Sequence, residues 1–573
     1  MKMSASQVVM ECLLEQGVDT VFGYPGGTIL NIYDEFELHG YKNKIRHILT
    51  AHEQGASHAA DGYARSTGKV GVCFVTSGPG ATNLTTGIAT AYMDSSPVVF
   101  ITVNVGEPLI GKDTFQEVDI TGITMPITKC NYLVKDATKL ADIIREAFAI
   151  ARSGRPGPVL IDIVKNVTAT EVDYEPLPLS EHHRHGRLAA LLARNADTLN
   201  MRTPEPDHDD VDKLVEMLDE SKKPLILVGG GVIRSKGGVD EFRKFITQVG
   251  APVASSVMGG GACAGDSPLF AGMIGMHGTH ASNTASHECD LLIAIGCRFS
   301  DRVTCDTASF APNAKVVHID IDRAEIDKNI LTTHHIIGDA RRVLELLNER
   351  IYMKDYNFDA WRESILAIKE PEHVHDPDKL VPYEIMETIT KLAPDAIIAT
   401  DVGQHQMWTC QYFHFKRPGQ LLTSGGFGTM GFGYGAAYGA KLANPDQVVI
   451  HTTGDGCFRM NCHEMSTVQY YDIPVITVIF NNGALGMVRQ WQHLTCNERY
   501  SCTTLDRGPD FVKLAEAYGI AGYRATTQDE FEDALQKALD SGKAAVIDCV
   551  LDIDEMVHPM VNGGSPVTKF LLD

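Results

Sequence analysis

The 573-residue sequence is short of positive charge and has no apolar run long enough to cross a membrane. Lysine and arginine together number 50, against 73 aspartates and glutamates, so the net charge is −23. Nucleic acids and anionic membranes bind basic surfaces, and this balance disfavours both as partners. Apolar runs such as 97–103 and 475–480 have the length of a strand, whereas a membrane span needs about 20 residues. We therefore expect no nucleic-acid or membrane partner, while small anionic substrates are compatible with locally placed cations.

The cysteines also lack a pattern. They number 13, and no two have the CxxC spacing, so the sequence predicts neither a zinc site nor a disulfide framework and favours a reducing, cytoplasmic compartment. Glu11 and Glu15 interrupt the region where a secretory signal would be purely apolar. We interpret this first segment as a helix that is capped by Ser4 or Ser6 and ended by Gly17.

Short β-branched runs alternate with helical stretches along the chain. Fully apolar strands separated by helices predict doubly wound parallel-sheet α/β domains. The predicted strands are 70–76, 98–103, 159–163, 225–228, 291–295, 316–319, 396–400, 448–452, 475–480 and 545–550. Segments rich in proline, histidine and acids predict linkers at 173–210 and 351–378. Three domains result, at 1–172, 211–350 and 379–573. His182, His183 and His185 in the first linker are interpreted as a solvated loop rather than a metal site.

The two outer domains look like copies of each other. Each contains a strand, a Ser/Thr-Gly-x-Gly turn, a helix and a proline-led strand that ends in asparagine, at Asn104 and Asn481. The first turn glycine and the proline are 19 residues apart in one copy and 20 in the other, and the proline and asparagine are 7 apart in both. This spacing favours a duplication, the alternative being the general likeness of βαβ units.

The second copy carries an acid in its turn, Gly454–Asp455–Gly456, and its next strand ends in Asn481–Asn482. A glycine turn at the end of a strand lets backbone N–H groups approach a diphosphate, whose charge a helix dipole favours. Asp455 offers a hard oxygen ligand and Asn482 a second one, as Mg²⁺ prefers. The alternative is a tight turn with a capping aspartate.

The GDG-x24-NN pattern resembles the thiamin-diphosphate motif, and nearly the whole chain is similar to the biosynthetic acetolactate synthase (acetohydroxyacid synthase) family, catalytic large subunit. The similar segments are FGYPGG at 22–27, HEQGA at 52–56, GYAR at 62–65, SGPGATN at 77–83, DTFQEVD at 113–119, SGRPGPV at 153–159, GMHG at 275–278, DVGQHQMW at 401–408, GTMGFG at 428–433, GMVRQWQ at 486–492 and PMV at 559–561. The resemblance implies two duplicated thiamin-binding domains, for the pyrimidine and the diphosphate, around a central Rossmann-like FAD-binding domain.

The family's activity implies a transferase of branched-chain amino acid biosynthesis, on the route to isoleucine, valine and leucine. Pyruvate is decarboxylated on thiamin diphosphate, and the hydroxyethyl carbanion is ligated to pyruvate or 2-oxobutyrate, giving 2-acetolactate or 2-aceto-2-hydroxybutyrate. The implied cofactors are thiamin diphosphate, Mg²⁺ and FAD. The implied partners are 2-oxoacids, a second copy in a homodimer or homotetramer with active sites between subunits, and a regulatory small subunit. The alternatives are another thiamin-dependent 2-oxoacid decarboxylase or carboligase, a flavin pyruvate oxidase, and a non-catalytic partner.

Glu53 follows the strand-like segment 47–52, where a buried carboxyl loses solvation and becomes suited to sharing a proton near neutral pH. The resemblance makes Glu53 the partner of the cofactor's pyrimidine ring, Met430 the apolar wedge under the cofactor and Gln116 a third catalytic residue. The pyrimidine wall is implied to contain Tyr24, Gly26, Gly27, Pro79, Asn83 and Gln116. The diphosphate side is implied to contain Val402, Gly403, Gln404, His405, Gly428, Met430, Gly454, Asp455, Gly456, Cys457, Asn482, Ala484, Leu485, Gly486 and Met487, with Asp455, Asn482 and Ala484 holding the metal.

Arg302 and Trp491 match the family's acceptor-recognition pair. An arginine fork can bind a carboxylate, and an indole can contact an extra methyl group. Phe115, Met276 and Lys165 are expected around the same channel. The resemblance assigns to FAD the residues Arg155, Gly229, Gly230, Gly231, His277, Gly296, Arg298, Asp320, Ile321, Gly338 and Asp339. The sequence departs from the family pattern at 258–261, Cys297 and Ser300 near the expected flavin, and at Asn104, Gly435 and Cys457 elsewhere.

Overall fold

The computed structural model describes residues 1–179, 203–371 and 375–572. His182, His183 and His185 lie outside the described residues. Three six-stranded sheets, all parallel, organise the described chain. The predicted doubly wound α/β class is therefore confirmed.

The first domain is a parallel sheet in the order β3-β2-β4-β5-β7-β6. Its strands are β1 Lys2–Ser4, β2 Thr20–Tyr24, β3 Arg46–Leu49, β4 Gly71–Thr76, β5 Val98–Asn104, β6 Cys130–Val134, β7 Val159–Val164 and β8 Glu171–Asp173, with β1 and β8 forming a separate antiparallel pair. Its helices are α1 Ala5–Glu15, α2 Leu30–Leu38, α3 Glu53–Thr67, α4 Pro79–Thr82, α5 Thr85–Met93, α6 Ile120–Thr124, α7 Leu140–Arg152 and α8 Lys165–Thr168. The predicted first helix is confirmed, because the Ser4 side chain accepts from the Gln7 N–H and Gly17 takes a φ of 73° just beyond the helix end.

The central domain has the sheet order β11-β10-β9-β12-β13-β14. Its strands are β9 Pro224–Val228, β10 Val253–Ser255, β11 Phe270–Met273, β12 Leu291–Ile295, β13 Lys315–Asp320 and β14 His334–Ile337. Its helices are α9 His208–Glu220, α10 Gly230–Arg234, α11 Gly238–Val249, α12 His280–Glu288, α13 Asp301–Thr304 and α14 Ala340–Ile351.

A further helix, α15 Asp359–Leu366, lies within the segment expected to be the second linker. Trp361 and Ile365 on this helix are buried in a core cluster of the central domain. The Trp361 indole also donates to the Pro224 carbonyl at 3.0 Å. This part of 351–378 is therefore packed structure rather than linker, because two large apolar side chains suffice to dock an otherwise polar helix.

The third domain has the sheet order β16-β15-β17-β18-β20-β19. Its strands are β15 Ile397–Thr400, β16 Leu421–Leu422, β17 Val449–Gly454, β18 Val475–Asn481, β19 Ala521–Ala525 and β20 Ala545–Val550, followed by the antiparallel pair β21 Met560–Val561 and β22 Phe570–Leu572. Its helices are α16 Pro382–Leu392, α17 Gln404–Tyr412, α18 Phe432–Ala443, α19 Asp455–Asn461, α20 Met465–Tyr470, α21 Gly486–Thr495, α22 Phe511–Ala517 and α23 Gln528–Ser541. Taken in chain order, its six parallel strands have the same arrangement as those of the first domain, so the predicted duplication is confirmed.

Helices α3 and α18 join the two copies within one chain. A Cβ atom added at Gly62 would lie 2.2 Å from the Ala436 carbonyl oxygen, and one added at Gly439 would lie 2.1 Å from that of Ala59. The helix backbones therefore touch, which only glycine permits. The first and third domains share one apolar core around this contact. Within the described residues, no helix combines the length and apolar character that a membrane crossing requires.

Candidate active site

A cavity lies where β15, β17 and β18 end, and we call it the diphosphate cavity. All of its lining residues come from 402–488 of the third domain. Fourteen of the residues expected on the diphosphate side line it: Val402, Gly403, Gln404, His405, Met430, Gly454, Asp455, Gly456, Cys457, Asn482, Ala484, Leu485, Gly486 and Met487. Gly428 is not in the lining, and a Cβ there would lie 4.0 Å from Val402. Sequence reasoning missed Trp408, Phe480 and Val488, although Trp408 lies one helical turn beyond Gln404.

Asp455 is the most unusual group in the diphosphate cavity. Its side chain is buried, and within the described part of the chain its Oδ2 atom has no hydrogen-bond partner. Burial raises its pKa to about 7, although the charge of Arg459 opposes the shift. A buried carboxylate oxygen without a partner is costly unless a ligand satisfies it. Asp455 therefore fits a cation ligand.

Asn482 presents a second oxygen beside Asp455. Its Nδ2 donates to the Gln404 side-chain oxygen at 3.0 Å. The Gln404 amide in turn donates to the Gln490 side-chain oxygen at 3.0 Å and to the Glu555 carbonyl at 2.8 Å. These contacts orient the Asn482 amide and leave its Oδ1 for a cation. With the backbone of Ala484 in the same lining, the site offers oxygen donors of the kind that Mg²⁺ prefers.

Asp401 joins the elements around this cavity, and sequence reasoning assigned it no role. Its buried carboxylate accepts from the Gly433 N–H at 2.8 Å and the Thr453 hydroxyl at 2.6 Å, and it contacts His451 Nε2 at 3.0 Å. Burial opposes its ionisation, but the hydrogen bond and charge of His451, with the other two donors, keep its pKa below the ordinary value. The ends of β15 and β17 and the start of α18 are thereby held together.

His405 presents a neutral ring to the same cavity. Burial lowers its pKa to about 4, so the imidazole is uncharged at neutral pH. Its Nε2 has no partner among the described residues. A Cβ at Gly454 would lie 3.0 Å from the ring, so glycine is needed where strand β17 passes it.

The residues expected on the pyrimidine side gather at the ends of β2 and β4, in a group we call the Glu53 cluster. Glu53 is the first residue of α3 and is half-buried, and its Oε2 accepts from the Asn83 amide at 2.9 Å. A Cβ at Gly80 would lie 3.3 Å from Glu53 Oε1, and one at Gly78 would lie 2.9 Å from the Gln116 Cα. The remaining members are Tyr24, Gly26, Gly27 and Pro79. The structure thus forms two separate half-sites, one in each outer domain.

A larger cavity of about 310 Å³ lies at the ends of the central strands, and we call it the central cavity. Nine of the residues expected to contact FAD line it: Arg155, Gly230, Gly231, Gly296, Arg298, Asp320, Ile321, Gly338 and Asp339. Gly229 and His277 are not in this lining. Gly229 lies behind it, where a Cβ would be 2.1 Å from the Gly296 carbonyl oxygen. His277 is buried, which lowers its pKa to about 4.

The central cavity has the backbone shape that a dinucleotide needs. A Cβ at Gly231 would lie 2.6 Å from the Gly296 Cα, so two strand-end turns meet with no side chain between them. The residues that depart from the family pattern, Met258, Cys297 and Ser300, line this cavity. Whatever binds there meets these three side chains.

The structure brings together part of the expected acceptor site. Arg302 lines the central cavity, and its guanidinium lies 3.3 Å from the Met276 sulfur. Trp491 packs against the core cluster that contains Met276. Phe115, 86% exposed, and the exposed Lys165 lie on the first domain and line neither of the two cavities. One chain therefore does not bring together all of the residues expected in the acceptor site.

Comparison with known proteins assigns the three domains. The chain matches the family models for the thiamine pyrophosphate enzyme N-terminal TPP binding domain at 3–123, central domain at 211–347 and C-terminal TPP binding domain at 401–549. It is 45% identical to the probable acetolactate synthase large subunit of Methanocaldococcus jannaschii, over 99% of this chain and 95% of the relative. The chain belongs to the acetolactate synthase large-subunit family.

Other members of this family are equally well covered. The acetolactate synthase large subunit of Haemophilus influenzae is 42% identical over 100% of this chain and 98% of the relative. The acetolactate synthase large subunit of Cyanidium caldarium is 42% identical over 98% of this chain and 96% of the relative. Each half-site therefore lies in a thiamine-pyrophosphate-binding domain of an acetolactate synthase large subunit, and the resemblance found in the sequence motifs is confirmed.

Proposed function

We propose that this chain is the catalytic subunit of an acetolactate synthase, which decarboxylates pyruvate and joins the two-carbon unit to a second 2-oxoacid. The observation that carries the proposal is the unpartnered, buried Asp455 oxygen beside Asn482, in a cavity between strand ends of a thiamine-pyrophosphate-binding domain. This cavity combines glycine turns with oxygen donors, as a diphosphate and its cation require.

The residues of the diphosphate cavity would hold the cofactor and its metal. Asp455, Asn482 and the Ala484 carbonyl would bind Mg²⁺, and the glycine turn at 454–456 leaves room for the diphosphate. When bound, thiamin diphosphate supplies a carbon nucleophile for the keto group of pyruvate and an electron sink for decarboxylation. Met430, which is in the lining, would offer the cofactor an apolar contact.

Glu53 would hold and return a proton at its Oε1 atom. Its other oxygen is fixed by the Asn83 amide, so the carboxyl has one defined position. A carboxyl fixed in this way is suited to general acid–base work at a ring nitrogen. Gln116 lies against Gly78 at the same strand end, where it would contact substrate.

Two copies of the chain would complete each site. The diphosphate cavity is lined only from 402–488, and the Glu53 cluster belongs to the first domain. Large apolar side chains near both half-sites are exposed, including Phe115 at 86% and Phe427 at 50%. A homodimer that pairs the Glu53 cluster of one chain with the diphosphate cavity of the other would cover them.

FAD and the second 2-oxoacid would bind on the central-domain side. The strand-end glycines of the central cavity suit a dinucleotide, and Arg302 would bind the carboxylate of the acceptor. Trp491 would supply the apolar wall that distinguishes 2-oxobutyrate from pyruvate. The name of the relatives as large subunits supports a smaller regulatory subunit as a further partner. All 13 cysteines are free, which supports a reducing, cytoplasmic location.

The decisive experiment is product analysis with the purified full-length protein, thiamin diphosphate, Mg²⁺ and FAD. Pyruvate alone should give 2-acetolactate, and added 2-oxobutyrate should give 2-aceto-2-hydroxybutyrate. Free acetaldehyde as the sole product would show a simple decarboxylase. Oxygen consumption with bleaching of the flavin by pyruvate would show an oxidase. An Asp455→Asn variant is the matched control, since it should form these products far more slowly.

A further inference from the structure

One glycine-rich segment, 423–431, touches both cavities. It connects β16 to α18, and it places Gly425 in the lining of the central cavity and Met430 in that of the diphosphate cavity. Gly428 and Gly431 have φ angles of 73° and 83°. A segment with this composition has many accessible conformations, so its position depends on the contacts made to it.

Asp94 makes the principal contacts to this segment from the first domain. It is 3% exposed and caps the end of α5. Its two carboxylate oxygens accept from the Gly425 N–H at 3.1 Å and the Gly426 N–H at 2.7 Å. Thr90, one turn earlier on α5, adds a hydroxyl contact of 2.7 Å to Thr429. Helix α5 therefore holds the segment at two places, 425–426 and Thr429.

Arg65, near the end of α3, balances the buried charge of Asp94. Its Nη2 donates to Asp94 at 3.2 Å, its Nη1 to the Thr423 carbonyl at 2.6 Å, and its Nε to Asp61 at 2.7 Å. Arginine is suited to this place because its planar fork can serve several acceptors at once. The segment is thus fixed through charged hydrogen bonds rather than through apolar packing alone.

The other side of Asp94 faces the central cavity. Met93, Asp94 and Ser95 all line that cavity. Arg234 donates to the Ser95 carbonyl at 3.1 Å, and Arg155 donates to the Ser95 hydroxyl at 2.8 Å. A molecule bound in the central cavity therefore meets the same turn that holds Gly425 and Gly426.

We propose that Asp94 is a positioning residue that couples the two cavities. A flavin dinucleotide in the central cavity stabilises the turn at 93–95. The hydrogen bonds that Asp94 accepts from Gly425 and Gly426 then fix the segment 423–431, and Met430 is held facing the diphosphate cavity. FAD and thiamin diphosphate then bind with positive cooperativity, because both favour one arrangement of the segment. The inference rests on the proposed function and adds to it a link between its two cofactor sites.

The test measures thiamin diphosphate affinity rather than activity. Isothermal titration calorimetry on the full-length protein with saturating Mg²⁺ gives the Kd with and without FAD. For the unmodified chain, FAD should tighten the Kd by about fivefold or more. In Asp94→Asn, one N–H acceptor is replaced by a donor, and the ratio of the two Kd values should fall close to one. Thr90→Val, which removes the hydroxyl contact to Thr429 together with the hydrogen bond that the same hydroxyl donates to the Thr86 carbonyl at 2.8 Å, is the milder variant and should reduce the ratio partly.

Asp290→Asn is the matched control. Asp290 also accepts from two successive backbone N–H groups, those of Lys222 and Lys223 at 2.8 and 3.0 Å, but it lines neither of the two cavities. It should leave the ratio unchanged. The proposal would be overturned if Asp94→Asn lowered the melting temperature but left the ratio of the two Kd values unchanged. It would also be overturned if FAD did not change the Kd of the unmodified chain for thiamin diphosphate. Failure of the unmodified chain to bind thiamin diphosphate at all would instead overturn the proposed function.

Discussion

The division of the half-sites between the outer domains leads to a quantitative prediction about mixed dimers. Glu53→Gln removes the group that would hold a proton, and Asp455→Asn removes a metal ligand on the other half-site. Each homodimer should lose activity by about 10²-fold or more, as loss of a positioned proton-transfer group does. Asp455→Asn should still fold, because it removes a buried charge that has no hydrogen-bond partner for one oxygen among the described residues.

When the two variant chains are co-expressed in equal amounts, random pairing makes about half of the dimers hybrid. If sites form between chains, a hybrid has one site with both defects and one site with neither. The mixture should then show about a quarter of the unmodified activity, roughly 25 times that of either variant alone. Acetolactate formation from pyruvate, measured per dimer, is the assay.

A reciprocal mixture provides the control. Chains that carry both substitutions are co-expressed with unmodified chains, so that every hybrid site between chains has one defect. If sites form between chains, the mixture should again show about a quarter of the unmodified activity, which comes from the unmodified homodimers alone. If sites form within a chain, it should show about a half of the unmodified activity. Sites shared between chains would be refuted if the first mixture kept about one per cent of the unmodified activity and the second mixture kept about a half of it.

Three further outcomes are expected. Burial raises the pKa of Asp162 to about 6, so the stability that it contributes is present below pH 4 and is lost as the pH rises through 6. The free energy of unfolding of Asp162→Asn should therefore exceed that of the unmodified chain by up to about 3 kcal/mol at pH 8 and by much less at pH 4. A difference between the two free energies that does not change with pH would contradict this. Arg302→Lys should raise the KM for the acceptor by about tenfold, the cost of losing a bidentate contact, and an unchanged KM in initial-rate kinetics would remove Arg302 from that site. Chelation of Mg²⁺ by EDTA should weaken thiamin diphosphate binding in the unmodified chain but have little effect in Asp455→Asn, which calorimetry can check, and equal sensitivity of both chains would place the metal elsewhere.

Most inner strands could be predicted from sequence, with β2 and β10 as the exceptions, whereas several edge strands could not. Strands such as β4, β5 and β18 are buried along their length, and burial on both faces leaves an uninterrupted apolar run. At the edges, β6 is mostly half-exposed and β16 has only two residues. Their composition does not predict a strand, because these segments become strands by pairing with a neighbouring strand rather than by local preference.

Some residues of the candidate site could likewise be predicted from the sequence, and others could not. Asp455 and Asn482 could be placed together because both follow strands of a parallel sheet, whose carboxyl ends meet at one edge. The partners of Asp401 could not be foreseen, since His451 and Gly433 are brought to it by the packing of α18 rather than by any spacing. Gly428 and His277 were expected in cavity linings on the strength of motifs, but a motif does not say which of its members face the space.

The helix contact through Gly62 and Gly439 also determines whether the chain can be used in parts. Phe22 of the first domain and Tyr438 of the third lie in the shared core with ring centroids 6.4 Å apart. A fragment that ended after the central domain would expose the apolar face of α3 to water, which favours aggregation. The outer domains have the same strand arrangement, yet they share one apolar core, so we expect them to behave as a single unit rather than as two exchangeable modules.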